Sequence, residues 1–185
     1  MSAPTLMSPE LSKVLDAVAE AARQARVFDR VEVEVGGPMG GRVSAVPVEA
    51  PEGVRFRVEP DPASRRFFVS WVSPDRYVSQ SIEADLMWTG DHLDDLIDEE
   101  LADKGWSGGA LGEVEHFRSE DKLFTFRSQI PISVDGACPE RDAPELVRCL
   151  LAYEAAFREL GDMKPGEVDD DEPPRRSGPA GAASV

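Results

Sequence analysis

A change of hydrophobic period near residue 30 constrains this chain more than any other feature of its sequence. Leu11, Val14, Leu15, Val18, Ala22 and Ala25 recur at helical spacing and define one apolar stripe. Ser8 stands where an N-cap belongs, with Pro9 at the first helical position, where a missing N–H costs nothing. The spacing predicts a helix ending near Val27. From Arg30 the period is 2: Val31, Val33 and Val35 point one way, Glu32 and Glu34 the other. A half-buried strand directly after an amphipathic helix implies an α+β fold in which the helix packs on a sheet.

The same reading extends along the chain. Strands are expected at 42–49, 54–59, 66–72 and 76–83, separated by Pro51-Glu52-Gly53, Asp61-Pro62 and Pro74-Asp75 as turns, which describes an antiparallel meander. A second helix is expected over 91–104, where Leu93, Leu96, Ile97 and Leu101 line one side and Gly105 stops it. Strands at 113–118 and 123–128 follow, and Ile130-Pro131-Ile132 closes the sheet. A last helix opens at Asp142, with Glu145 three residues on and Pro144 in the first turn. Leu146, Cys149, Leu150, Tyr153, Phe157 and Leu160 form its stripe, and Gly161 is its C-terminal stop. The expected architecture is an antiparallel sheet packed with three helices, in the order helix, strands, helix, two strands, helix. Residues 1–7 read as a flexible N-terminus and 8–161 as a single domain. Residues 162–185, with Asp169-Asp170-Asp171-Glu172 and Pro173-Pro174-Arg175-Arg176, have little to bury and read as a disordered tail.

The net charge of −16 repels phosphate backbones and anionic headgroups, so neither nucleic acid nor membrane is an expected partner, whereas a basic protein surface is a natural complement. Residues 1–7 lack the basic and apolar regions of a secretory signal, and nowhere do 18 apolar residues run together, which points to a cytoplasmic protein. Cys138 and Cys149 are the only cysteines, far from metal-ligand spacing, so no disulfide, metal or other cofactor is expected.

The remaining candidates are weighed against plainer readings. Gly36-Gly37-Pro38-Met39-Gly40-Gly41 lacks the helix and Lys of a phosphate loop, and strands flank it, so it reads as a wide hairpin loop. Asp91, Asp94, Asp95, Asp98, Glu99, Glu100 and Asp103 crowd the second helix against Lys104. They lack the alternation of a calcium loop; they form a solvated face or a docking surface for a basic partner. His92 and His116 sit in no nucleophile or metal motif, and His116 reads as a half-exposed strand residue. Trp88 before the second helix and Trp106 after it bracket one element and could rim a groove.

The element order, with two strands, Ser128-Gln129-Ile130-Pro131-Ile132 and a capped helix carrying Leu146, Leu150, Tyr153 and Phe157, resembles the type III secretion chaperone-like fold. Within that fold it is similar to the YbjN-like bacterial sensory transduction regulators, chiefly over 113–160. The resemblance implies a small acidic module, often a homodimer, that binds a segment of another protein without catalysis. Trp88, Trp106, Asp94, Asp95, Asp98 and Glu99 are the expected partner-binding residues of such an adaptor. An acidic immunity or inhibitor protein covering a basic toxin or nuclease is the alternative, and an enzyme using carboxylates and a divalent metal is a third.

Overall fold

The computed structural model describes residues 7–37 and 39–160. The expectations for residues 1–6, for Gly161 and for 162–185 lie outside the described residues, as does Pro38. The fold is α+β: the described residues form four helices and a six-stranded antiparallel sheet of order β1-β2-β3-β4-β6-β5. Helix α1 spans Pro9–Gln24, and Ser8 Oγ accepts from the Leu11 N–H at 3.2 Å as expected of the cap. Strands β1 (Phe28–Val35), β2 (Gly41–Pro47), β3 (Arg55–Asp61) and β4 (Arg66–Ser73) form the meander. Helices α2 (Arg76–Thr89) and α3 (Leu93–Asp103) follow, then β5 (Glu115–Arg118), β6 (Phe124–Ser133) and α4 (Pro139–Glu159).

The largest departure from the sequence reading lies at residues 76–83, expected as a strand and found as the first half of α2, which raises the helix count from three to four. Val78, Ile82 and Leu86 recur every fourth residue and turn toward the core, a helical signal that the apolar run Tyr77-Val78 obscured. The Pro74-Asp75 turn signal is a helix start: the Asp75 side chain accepts from the Tyr77 N–H at 2.8 Å. Two smaller corrections follow the same logic. Ile130-Pro131-Ile132 belongs to β6 itself, and the register jumps from Arg66↔Ser133 to Phe67↔Ile130, so the proline sits in a bulge where no ladder N–H is needed. Helix α4 begins at Pro139, three residues before the expected cap. Asp142 still serves the helix start, because its carboxylate reaches back to the Cys138 N–H at 2.8 Å and is gripped by the Arg141 guanidinium.

Strand alternation gives the sheet two different faces. Val43, Ala45, Phe56, Val58, Phe67, Val69, Trp71, Phe126 and Ile130 point to one side, where α1 and α4 lie against them and α3 packs on α4. Phe157 of α4 stacks on Trp71 at 5.6 Å and meets Phe126 at 5.5 Å and Phe56 at 6.1 Å. The buried Tyr153 hydroxyl donates to Ser128 Oγ at 2.6 Å, pinning α4 to β6. The opposite face carries Glu34, Arg42, Arg55, Arg57, Glu59 and Arg127; cross-strand ion pairs tie all of these but Arg57, and Arg127 lies over Phe68 and Phe117.

The Asp142 carboxyl lies below its ordinary value near 4: burial raises it, but the Arg141 hydrogen bonds and the Cys138 N–H outweigh that. Its stabilisation is therefore complete above the ordinary value and is lost as pH falls through the lower folded one. Asp142→Asn is expected to cost about 1 kcal/mol at pH 7, the usual worth of a cap, and to flatten the acid limb of stability measured by urea unfolding from pH 7 to 2.

Candidate functional site

Helix α2 is the helix least embedded in the core, and it carries three of the large apolar side chains that are exposed among the described residues. Among its residues only Val78, Ser79 and Ile82 are buried. Tyr77, Ser81, Ala84 and Trp88 fall at i, i+4, i+7 and i+11 on the outward side, with Met87 beside them. Trp88 is 90% exposed, Met87 85% and Tyr77 79%, so a single-sided aromatic stripe faces solvent, where a helix of this kind ordinarily shows polar residues.

What fixes this helix is a polar clasp that sequence spacing did not reveal. Ser79 and Glu83 stand one turn apart on α2, and both meet His116 of β5. Ser79 Oγ lies 3.2 Å from His116 Nε2, and Glu83 Oε1 lies 2.7 Å from Nδ1. The imidazole is stacked flat on Phe126, centroids 3.9 Å apart. Hydroxyl, imidazole and carboxylate thus stand in the order of a nucleophile relay. The hydroxyl, however, is on a residue only 2% exposed, inside a helix, and that residue's own N–H donates to the Asp75 carbonyl at 3.4 Å. The arrangement fastens α2 to the edge strand. The misread strand at 76–83 hid it, since only a helix brings positions 79 and 83 onto one imidazole.

Gly90, with φ +79°, caps α2 in the left-handed conformation and turns the chain into α3. Leu93, Ile97 and Leu101 are buried against the core, which leaves Asp94, Asp95, Asp98 and Glu99 on the solvent side. Asp94 also accepts from the Val114 N–H at 2.9 Å, and Glu100 is paired with Lys104 at 2.8 Å. The two tryptophans differ in setting. Trp88 is free in solvent, whereas Trp106 is half-buried against the core and its indole N–H donates to the Gly109 carbonyl at 2.6 Å. The ring so fills its loop that a Cβ at Gly108 would lie 2.3 Å from it.

Elsewhere, Cys149 is buried, and burial, with Glu145 nearby, pushes its thiol well above the ordinary range. Among the described residues no group of three metal-ligating side chains converges, and no helix is long and apolar enough to cross a membrane. Comparison with protein-family models, curated proteins and solved structures finds no match.

His116→Leu preserves the apolar contact with Phe126 and strands the buried Ser79 hydroxyl, at a cost of about 1–3 kcal/mol. Amide exchange in α2 is expected to accelerate by roughly tenfold or more while α4 is unchanged. A fluorophosphonate probe should leave Ser79 of the native protein unlabelled; labelling would make the relay a catalytic one.

Proposed function

We propose that this chain is a cytoplasmic, non-enzymatic adaptor of the chaperone-like kind, which holds a basic amphipathic segment of a protein partner on the α2–α3 surface. The observation that carries this is the exposure of Tyr77, Met87 and Trp88 on α2, with Met87 and Trp88 separated along the chain from the α3 carboxylates only by the short turn at Gly90. A large apolar stripe in water is unfavourable unless something covers it at times, and Trp and Tyr are the side chains that concentrate binding energy. The segment that fits has an apolar side for Trp88 and Met87, and Lys or Arg placed toward Asp94, Asp95, Asp98 and Glu99. Trp106, held in its own loop, shapes the far end of α3. The resemblance to YbjN-like proteins and the chaperone-like fold supports the same reading, and the eight-residue edge strand β1 offers a second copy a place to pair.

The test uses two synthetic helical peptides with the same Leu face, one with Lys and one with Glu on the polar face, titrated calorimetrically. Only the Lys peptide is expected to bind. Trp88→Ser should weaken it by about 30-fold, the scale of a hot-spot side chain. Asp94→Asn, Asp95→Asn, Asp98→Asn and Glu99→Gln together should lower affinity and flatten its salt dependence. Loss with the neutralised set but not with Trp88→Ser would favour the immunity or inhibitor reading, in which charge alone covers a basic toxin. Equal binding of both peptides, or of neither, would overturn the proposal.

A further inference from the structure

The open face of the sheet concentrates positive charge in a protein of net charge −16. Arg42, Arg55 and Arg57 come from adjacent strands and line one cleft of about 320 Å³ with Glu34, Gly53, Val72, Pro74 and Leu123. Glu34 serves two of the three, accepting from Arg42 Nε at 2.7 Å and from Arg55 at 3.1 Å. Arg42 also approaches Glu59 at 3.8 Å. Among the described residues the ion pairs within this cleft run through Arg42 and Arg55, and none is made by Arg57. Its Nε is shut off from solvent with no hydrogen-bond partner.

A guanidinium held there is costly. Burial first, then the charge of Arg42, pulls its pKa down; the charges of Glu59 and Glu34 work against this, and Arg55 adds a smaller push down. A guanidinium stays charged regardless, so the site contains a half-buried cation with no carboxylate in ion-pair contact. Beside it stands an apolar wall of Val72, Pro74 and Leu123. Gly53, at φ +87°, lets the chain close against that wall, since a Cβ there would lie 2.6 Å from the Pro74 ring.

We infer that this cleft binds a small organic oxyanion, its carboxylate or phosphoryl head on Arg57 between Arg42 and Arg55 and its apolar body against Val72, Pro74 and Leu123. Arginine matches either head group through paired N–H donors. The cleft lies at the small end of ligand sites, which suits a metabolite-sized molecule and excludes a long peptide.

The probes are benzoate and phenylphosphonate, which share a body and differ in the head, each compared with chloride at equal ionic strength. A melting temperature that climbs with the logarithm of probe concentration supports the site, and the stronger probe identifies the head group. In Arg57→Gln the climb should vanish, with affinity by calorimetry down at least about tenfold, the worth of a charge-assisted hydrogen bond. The same variant without ligand should melt no lower than the native protein, because an unpaired cation has been removed. Arg42→Gln should melt lower, since it breaks the pair with Glu34. No response to either probe, a response retained in Arg57→Gln, or a lower melting point of unliganded Arg57→Gln would each overturn the proposal.

Discussion

The packing of Phe157 into the sheet is the contact on which the other elements depend. Its ring meets Phe56, Trp71, Phe126 and Tyr153, so one side chain of α4 touches β3, β4 and β6 at once. Aromatic area of this size dominates a core, and its edge-on and stacked geometries fix orientation as well as distance. Two further placements follow from it. Helix α4, held over the sheet, becomes the floor for α1 and α3. Phe126, held by Phe157 and Trp71, offers its ring to His116, and through His116 the sheet positions α2. The exposed side of α2 is thus located by a residue that is itself buried.

The two sheet faces balance by different physics. On the helix side, burial of apolar side chains stabilises; on the open side, cross-strand ion pairs organise long side chains that cover Phe68, Ser70 and Val72. Glu34 illustrates the second case. Burial raises its carboxyl, yet the hydrogen bond and charge of Arg42 bring it below its ordinary value, so it stays ionised as the shared anion of two arginines. Arg57 is where that pairing fails to close.

Much of the fold was legible because local and global signals agreed. The α1 stripe with its Ser8 cap and the α4 stripe each have one dominant period over several turns, and burial follows it; in β1 the alternation finds the strand, but burial follows it only at Val31 and fades to a Val35 that is 88% exposed at the strand end. Residues 76–83 were not, because an apolar pair at 77 and 78 mimics a strand start and only the full span to Leu86 shows the helical repeat. The consequences reached the site. Trp88 and the α3 carboxylates were visible as residue types, but the outward line joining Trp88 to Tyr77 exists only on a helix. The Ser79, Glu83 and His116 clasp and the three-arginine cleft depend on strand order, which pairs positions far apart in sequence, and no spacing rule reports that.

Strand order also sets a schedule for synthesis. Strands β1 to β4 are neighbours in sequence and in space, and they can pair as soon as they leave the ribosome. Strand β4 then remains a bare edge until β6 arrives, and the inward faces of Phe56, Phe67 and Trp71 have no cover until residues 139–159 are made. Throughout that interval the nascent chain presents an unpaired edge and an aromatic sheet surface, the two features that promote association between chains. The acidic stretch of α2 and α3 emerges within this window, and its like charges keep neighbouring nascent chains apart until α4 closes the core.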